Sequence, residues 1–375
     1  MVIFTSICAN YLHKARTLAK SIKDHMVGAY FIVCLVENEM KSNYKDIYFD
    51  EVILAKTTWE GNFERFIFKH RLVEAATSVK GQFLKYLLNR FKDKKNFLYI
   101  DPDSYVYSDF VEIRNALDEH PIVLCPHLLQ PGNIEMEISC MKHGTFNLGF
   151  LAVNNSDEAK KFVEWWASRL YLYCYDDIPN GIFTDQRWVD LAPSFFEVKI
   201  LKHHGYDFAI WSLLGCDITA RDGEYYVNGD PLRYIHFSGF GATAEDCMNK
   251  WLPEGGHHFR ELYMDYAKLH DNNNSDGVSK TPWSYGFFSS GEKISDETRL
   301  KYRGNYEVMF SIENPFEYSN KYFLTATKPK SRLMHYAHRA IELYLQNGIM
   351  YVLSRIIKKV FGIMAYEVDG KRKLT

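Results

Sequence analysis

The chain has 375 residues, of which 47% are hydrophobic and 25% charged, with a formal net charge of −2. That supplies the core of one large domain, or of one domain with an appendage, and the near-neutral balance excludes the basic domain by which a nucleic-acid binder announces itself. The charge is uneven: residues 328–375 carry ten Lys or Arg against three acids, which makes that stretch +7 and the remainder −9.

In chain order, Val2 to Cys8 predicts a strand, Tyr11 to Met26 a helix, Tyr30 to Glu37 a fully buried strand and Glu51 to Ala55 another. The pattern over Phe63 to Phe91 is helical with a break near Gly81, and Phe97 to Ile100 returns as a strand. Thr145 to Val153 (TFNLGFLAV) reads as a strand with a glycine inside it, a mark of close backbone approach. Asn155 or Ser156 caps a helix rich in aromatics, in which Trp165 and Trp166 suit a core better than a sugar site. Thr184 to Leu191 reads as helical, the chain then becomes irregular, and Arg233 to Ser238 is the last clear strand. Turn formers over Leu269 to Lys280 mark a boundary. Strands alternating with helices imply a mostly parallel sheet covered on both faces. Ligands of such sheets bind beyond the carboxyl ends of the strands, where Asn10, Tyr11, Asp101 and Asp103 would lie.

Seven scattered cysteines without a C-x-x-C pair read as reduced, buried, cytosolic thiols. The first residues lack a basic segment before their short apolar stretch, so no signal peptide is expected. No run reaches the length of a membrane-spanning helix.

The stretch FLYIDPDSYV ends a strand on two aspartates separated by one proline. Carboxylates so close raise each other's pKa unless something positive sits between them. Hard cations such as Mg²⁺ and Mn²⁺ prefer carboxylate oxygens and share their shell with substrate phosphates. His236, in RYIHFSG, would add an imidazole and favour Mn²⁺. A polar turn and a structural histidine describe the same residues without a metal, and both readings stay open at this point.

The order FLYIDPDSYV, FNLGFL, TDQRW, YIHFSGF resembles metal-dependent glycosyltransferases of the GT-A fold, particularly the glycogenin-like family eight group and bacterial relatives that build surface polysaccharides. The resemblance runs from Met1 to Phe240. It implies an α/β fold with a Rossmann-like, mostly parallel mixed sheet flanked by helices, and a helical C-terminal appendage. It implies that Asp101, Asp103 and His236 hold Mn²⁺ (or Mg²⁺) against the diphosphate of a nucleotide sugar, UDP-sugar first among them. Ala9, Asn10 and Tyr11 would contact the nucleotide, with Lys80 and Asp101 near the donor. Asn147 would stand near the donor sugar, Asp185 on its hydroxyls and Gln186 beside the anomeric carbon. The residues themselves also allow a solvated helix-end role for Lys80 and a helix N-terminal role for Asp185. The family's lysine after the histidine is missing from HFSGFGATAED, which leaves the departing diphosphate to the metal and another cation, with Lys250, Arg299 and Arg303 as candidates. Trp283 to Arg303 resembles a recurring stretch of bacterial polysaccharide transferases, a conditional lid over the donor site, and reads equally as an ordinary surface loop and helix.

The expected organisation is a nucleotide-sugar-binding catalytic domain over 1–270, a loop or lid-like segment over 271–330 and a basic amphipathic helical region over 331–375. The last would suit an anionic membrane surface. The matching function is transfer of a sugar from a nucleotide donor to a glycan or lipid-linked glycan acceptor in O-antigen, capsule or lipooligosaccharide synthesis. The location expected is the cytoplasm, including the inner face of the plasma membrane, with no nucleic-acid partner. The alternative is a non-catalytic sugar or nucleotide-sugar binding protein that keeps the fold.

Overall fold

The computed structural model describes residues 1–252 and 256–326. Its strands are β1 (Val2–Ile7), β2 (Tyr30–Leu35), β3 (Glu51–Leu54), β4 (Asn96–Ile100), β5 (Ser104–Val106), β6 (Ile122–Leu124), β7 (Phe150–Asn154), β8 (Asp176–Asp177), β9 (Ile182–Phe183), β10 (Val198–Ile200), β11 (Ile218–Arg221), β12 (Glu224–Val227), β13 (Asp230–Pro231) and β14 (Tyr234–His236). Seven form the central sheet, in the order β10-β6-β7-β4-β1-β2-β3. β7 runs antiparallel to both its neighbours, and the other pairings are parallel. This is the mixed, mostly parallel α/β sheet expected from the alternation of elements.

Every residue of β1 is buried because both faces of the sheet are covered. Val2 and Phe4 join a core built with α2 (Phe63–Phe68), α3 (Leu72–Ser78), α4 (Lys80–Arg90) and α7 (Asp157–Tyr173). Ile3 and Ile7 join the opposite core, against α1 (Leu12–His25) and α5 (Val111–Glu119). The remaining helix of the first half, α6 (Ile134–His143), is capped by Asn133, whose side chain accepts from the amides of Glu135 and Met136. A third cluster, from Phe208 to Tyr266, packs the helices Ala242–Trp251 and His257–Asn273 beside β14.

Several boundaries differ from the sequence reading. The helical run after Phe63 breaks around Lys69–Arg71 and at Val79, and Gly81 lies inside α4. A Cβ at Gly81 would stand 2.7 Å from the Cα of Ala167, so this glycine lets α4 press onto α7. Ser156 caps α7 by accepting from the Ala159 amide at 3.2 Å, and Trp166 is fully buried. The strand read over Thr145 to Val153 begins only at Phe150, after its glycine. Of Thr184 to Leu191, only Gln186–Val189 is helical, and Thr184 has a left-handed φ of 43°. The region taken as irregular contains the meander β11-β12-β13. Its first turn has Asp222 and Gly223 both at positive φ and its second Asn228 and Gly229, the primed geometry that suits two-residue hairpins.

The helix His257–Asn273 extends into the stretch read as a boundary loop, and Arg16 of α1 holds the following turn through the Asn273 carbonyl and Asp276. The segment read as a lid is packed wall. Trp283, Tyr285, Phe288 and Tyr302 share the core with β1 and β4. Trp283 Nε1 donates to the Val36 carbonyl at 2.9 Å, and Arg299 donates to the carbonyls of Phe68 and Tyr285. All seven cysteines are unbridged. No helix among the described residues is long and apolar enough to cross a membrane. The basic amphipathic helical region expected over 331–375 lies outside the described residues.

Candidate active site

β4 delivers Asp101 and Asp103 to the carboxyl edge of the sheet, next to the end of β1. The chain turns at Pro102 and returns as β5, which pairs antiparallel with β14 so that His236 stands opposite Ser104. This short ladder brings the histidine to the aspartates. His236 Nε2 lies 3.3 Å from Asp103 Oδ1 and 3.7 Å from Asp101 Oδ2. One ligand atom from each of the three residues lies within 4.8 Å of the others. Gly149 makes room, since a Cβ there would sit 2.5 Å from both His236 Cε1 and Asn147 Oδ1. The close approach that the glycine signalled is therefore to side chains.

The far nitrogen of His236 is also held: Nδ1 lies 3.3 Å from Asp207 Oδ1, on a residue itself at a left-handed φ of 51°. Burial works against the imidazolium, but hydrogen bonds to Asp103 and Asp207 push its pKa up to about 10. Burial pushes Asp207 up to about 6 against the pull of His236. For Asp103, burial is outweighed by the Lys14 ammonium and by His236, which together hold its carboxyl well below the usual range. Lys14 Nζ is 3.4 Å from Asp103 Oδ2 and 4.4 Å from the centroid of the Tyr11 ring.

Lys80 is the second centre of charge. It is 2% exposed and stands 2.9 Å from Asp185 Oδ2, 3.4 Å from Asp101 Oδ1 and 3.1 Å from the Leu148 carbonyl, over the ring of Tyr99. Burial lowers its pKa, but Asp101 and Asp185 overcome this and raise it. Asp185 is raised by burial, with Lys80 opposing. A solvated helix-end role for Lys80 is thereby replaced by a buried one.

A cavity of about 1050 Å³, open to solvent, gathers Lys80, Asp101, Asp103, Asn147, Asp185, Gln186 and His236. In it the two amide side chains are bound to backbone. Gln186 accepts from the Leu148 amide at 2.9 Å and donates to the His143 carbonyl at 3.0 Å. Asn147 Oδ1 accepts from the Gly149 amide at 2.7 Å, and its Nδ2 lies 3.1 Å from His127 Nε2. Both amides shape the loop before β7. Ala9, Asn10 and Tyr11 sit on the turn after β1 and do not line this cavity. The Ala9 amide donates to the buried Glu37 at 2.8 Å, while Asn10 Oδ1 is buried without a hydrogen-bond partner. Of the three cations considered for the leaving group, none lines the cavity. Arg299 is bound to carbonyls, Arg303 pairs with Glu74, and Lys250 pairs with Glu135. Lys80 and Lys14 occupy the positions beside the aspartates.

Sequence reasoning did not find Lys14, His127 or Asp207; Trp211, whose ring lies edge-on to His236 at 5.6 Å, reads from the sequence only as one of several tryptophans that suit sugar stacking and a core equally. Lys14 had a usable signal, being one turn into the helix that follows β1. Asp207 had none, because only the tertiary fold brings it to β14.

No family model matches the chain. It is 27% identical over 179 residues to the uncharacterised protein YfnD of Bacillus subtilis, covering 47% of this chain and 57% of that one. It is 26% identical over 172 residues to YfnF of the same organism, covering 44% and 57%. The match thus spans little more than half the length of these curated relatives. Among solved structures, it resembles an active-site mutant of LgtC with a TM-score of 0.45 and 14% identity over 72% of this chain and 95% of that one. It resembles the galactosyltransferase LgtC bound to donor and acceptor sugar analogues with a TM-score of 0.43 and 16% identity over 71% and 96%. A glycosyltransferase involved in the glycosylation of the major capsid of PBCV-1 follows with a TM-score of 0.35 and 11% identity over 66% and 98%.

Proposed function

We propose that the protein is a metal-dependent glycosyltransferase that moves a sugar from a nucleotide donor, UDP-sugar, to a glycan acceptor in bacterial surface polysaccharide synthesis. The observation that carries this reading is one cavity at the carboxyl edge of the sheet in which two carboxylates and an oriented imidazole converge beside a buried Lys80–Asp185 pair. An O, O, N donor set of this kind fits Mn²⁺, and Mg²⁺ less well. Asp101, Asp103 and His236 would hold the ion. When bound, it supplies a positive charge against a diphosphate.

The chain's own residues do the rest. Asp207 keeps the Nε2 face of His236 toward the aspartates, as a second carboxylate does for many ligating histidines. Lys80 neutralises Asp101 and Asp185 and fixes both. Asp185 presents a carboxylate at the cavity wall for sugar hydroxyls, and Lys14 adds a cation at the edge where a diphosphate would arrive. Such preorganised charge is the main protein contribution to a transfer of this type.

Thermal unfolding against UDP, GDP, CMP and dTDP, with and without Mn²⁺, tests the site. A ligand that binds only the native state adds about 2.7 kcal/mol at a hundred times its dissociation constant. The reading expects one nucleotide, UDP, to raise the midpoint only with Mn²⁺, and the shift to vanish in Asp103→Ala. No nucleotide shift, or one indifferent to metal and mutation, overturns it. Binding without turnover of any UDP-sugar would favour the non-catalytic alternative, which the missing post-histidine lysine allows.

A further inference from the structure

A second cavity, of about 690 Å³ including its mouth, shares no lining residue with the first. α2 contributes Arg65 and Phe66 to it, Lys69 follows that helix, and the end of α7 and the residues after it supply Tyr171 and Tyr175. Phe66 and Tyr171 lie with ring centroids 5.6 Å apart and 17° between their planes and form the aromatic part of the lining, with Trp59 stacked on Phe66 at 3.9 Å. Lys69 is 5% exposed. Its ammonium donates to the Tyr171 carbonyl and lies 5.1 Å from the ring centroids of Phe66 and Tyr171 and 5.8 Å from that of Tyr175.

Among the described residues no carboxylate lines this cavity. Glu74, the acid whose field reaches Lys69, is already paired with Arg71 and Arg303. A buried cation without a counter-ion is costly, and burial accordingly pushes Lys69 down to about 7. Glycosyl transfer at the first cavity makes no use of this lysine.

We propose that this cavity binds an anionic group, carboxylate or phosphate, carried on a flat ring, with the ring against Phe66 and Tyr171 and the anion on Lys69 and Arg65. The aromatic lining provides the stacking surface, and the two cations provide charge-assisted hydrogen bonds. An anion would be a counter-ion that no described residue lining the cavity offers Lys69.

The test is calorimetric titration of the full chain, without metal, with benzoate, phenyl phosphate and the neutral benzyl alcohol. Saturable binding of at least one anion, at least about tenfold tighter than benzyl alcohol, is expected, and the tighter of the two assigns carboxylate or phosphate. Lys69→Met should weaken that binding at least about tenfold while leaving the UDP and Mn²⁺ midpoint shift intact. Should Lys69→Met not fold, Arg65→Gln takes its place with the same expected loss. No saturable anion binding, benzyl alcohol binding as tightly as the anions, or unchanged binding in the folded variant overturns the proposal. Because the anion titrations themselves contain neither nucleotide nor metal, a failed glycosyltransferase reading leaves their result intact, and the converse also holds.

Discussion

Asp207 lies behind His236 and determines which imidazole nitrogen faces the aspartates, so its removal should act through the metal site rather than through packing. Asp207→Asn should weaken Mn²⁺ binding by about 10- to 100-fold, the range found when such supporting partners are lost. Titration of free Mn²⁺ by electron paramagnetic resonance would check this, and an unchanged affinity would reduce Asp207 to a structural acid. Lys80 makes a second case. Lys80→Met strips the only cation that lies within 4 Å of both Asp101 and Asp185 among the described residues, and breaking a buried pair from one side costs about 3–5 kcal/mol. Denaturant unfolding should show that loss at neutral pH, and Lys80→Met/Asp185→Leu should recover part of it by removing the stranded carboxylate. The sequence made Lys80 visible as a basic residue near the donor, but not as the hub of two acids, since that depends on how α4 crosses β4.

At the level of elements, two glycines set distances that no other residue allows. Gly81→Ala places a methyl 2.7 Å from the Ala167 backbone, between two packed helices. Overpacking of this kind costs about 1–3 kcal/mol, which a lowered denaturation midpoint with unchanged slope would register. Gly149→Ala drives a methyl into the His236 ring, and should abolish the Mn²⁺-dependent nucleotide shift while the sheet remains folded by circular dichroism. The strands β1, β2 and β4 could be read because burial on both faces leaves short, largely apolar and β-branched or aromatic runs. The Asp pair could be read because it interrupts such a run. The meander was missed although its signal was present: Asp222-Gly223 and Asn228-Gly229 are the dipeptides that primed turns demand, and the polar residues flanking them hid the short strands. The start of β7 was misplaced because Thr145 to Leu148 are apolar enough for a strand yet are held as a loop by Gln186, which comes from elsewhere in the chain, and by the side chain of Asn147 on the Gly149 amide.

For the whole molecule, buried neutral histidines couple folding to pH. Burial and the neighbouring His270 lower His13 to about 4, and burial together with Lys69 and Arg303 holds His70 well below its ordinary value. In each case the unfolded chain binds the proton first on acidification, so stability present above pH ~6.5 drains away as pH falls toward the folded value. One such group changes stability by at most about 1.4 kcal/mol per pH unit. His13→Gln should therefore flatten the stability profile between pH ~6.5 and ~5 relative to the unmodified protein, by up to one proton's slope. Parallel profiles from urea unfolding would refute the assignment.

The pairing of β5 with β14 closes the Asp101, Asp103 and His236 cluster across a long stretch of intervening chain. Contacts so distant in sequence form late, because the loop between them must be closed before they give anything back. While the polypeptide is still being made, β1 to β7 can assemble into most of the sheet with Asp101 and Asp103 already at its edge. The imidazole arrives only when residue 236 has emerged and β14 has zipped onto β5. A growing chain would thus own the platform well before it owned the ability to grip a cation. Chains stalled before β14 should display the carboxylates without the imidazole, so that, on the proposed reading, metal competence marks completion of the β5–β14 ladder.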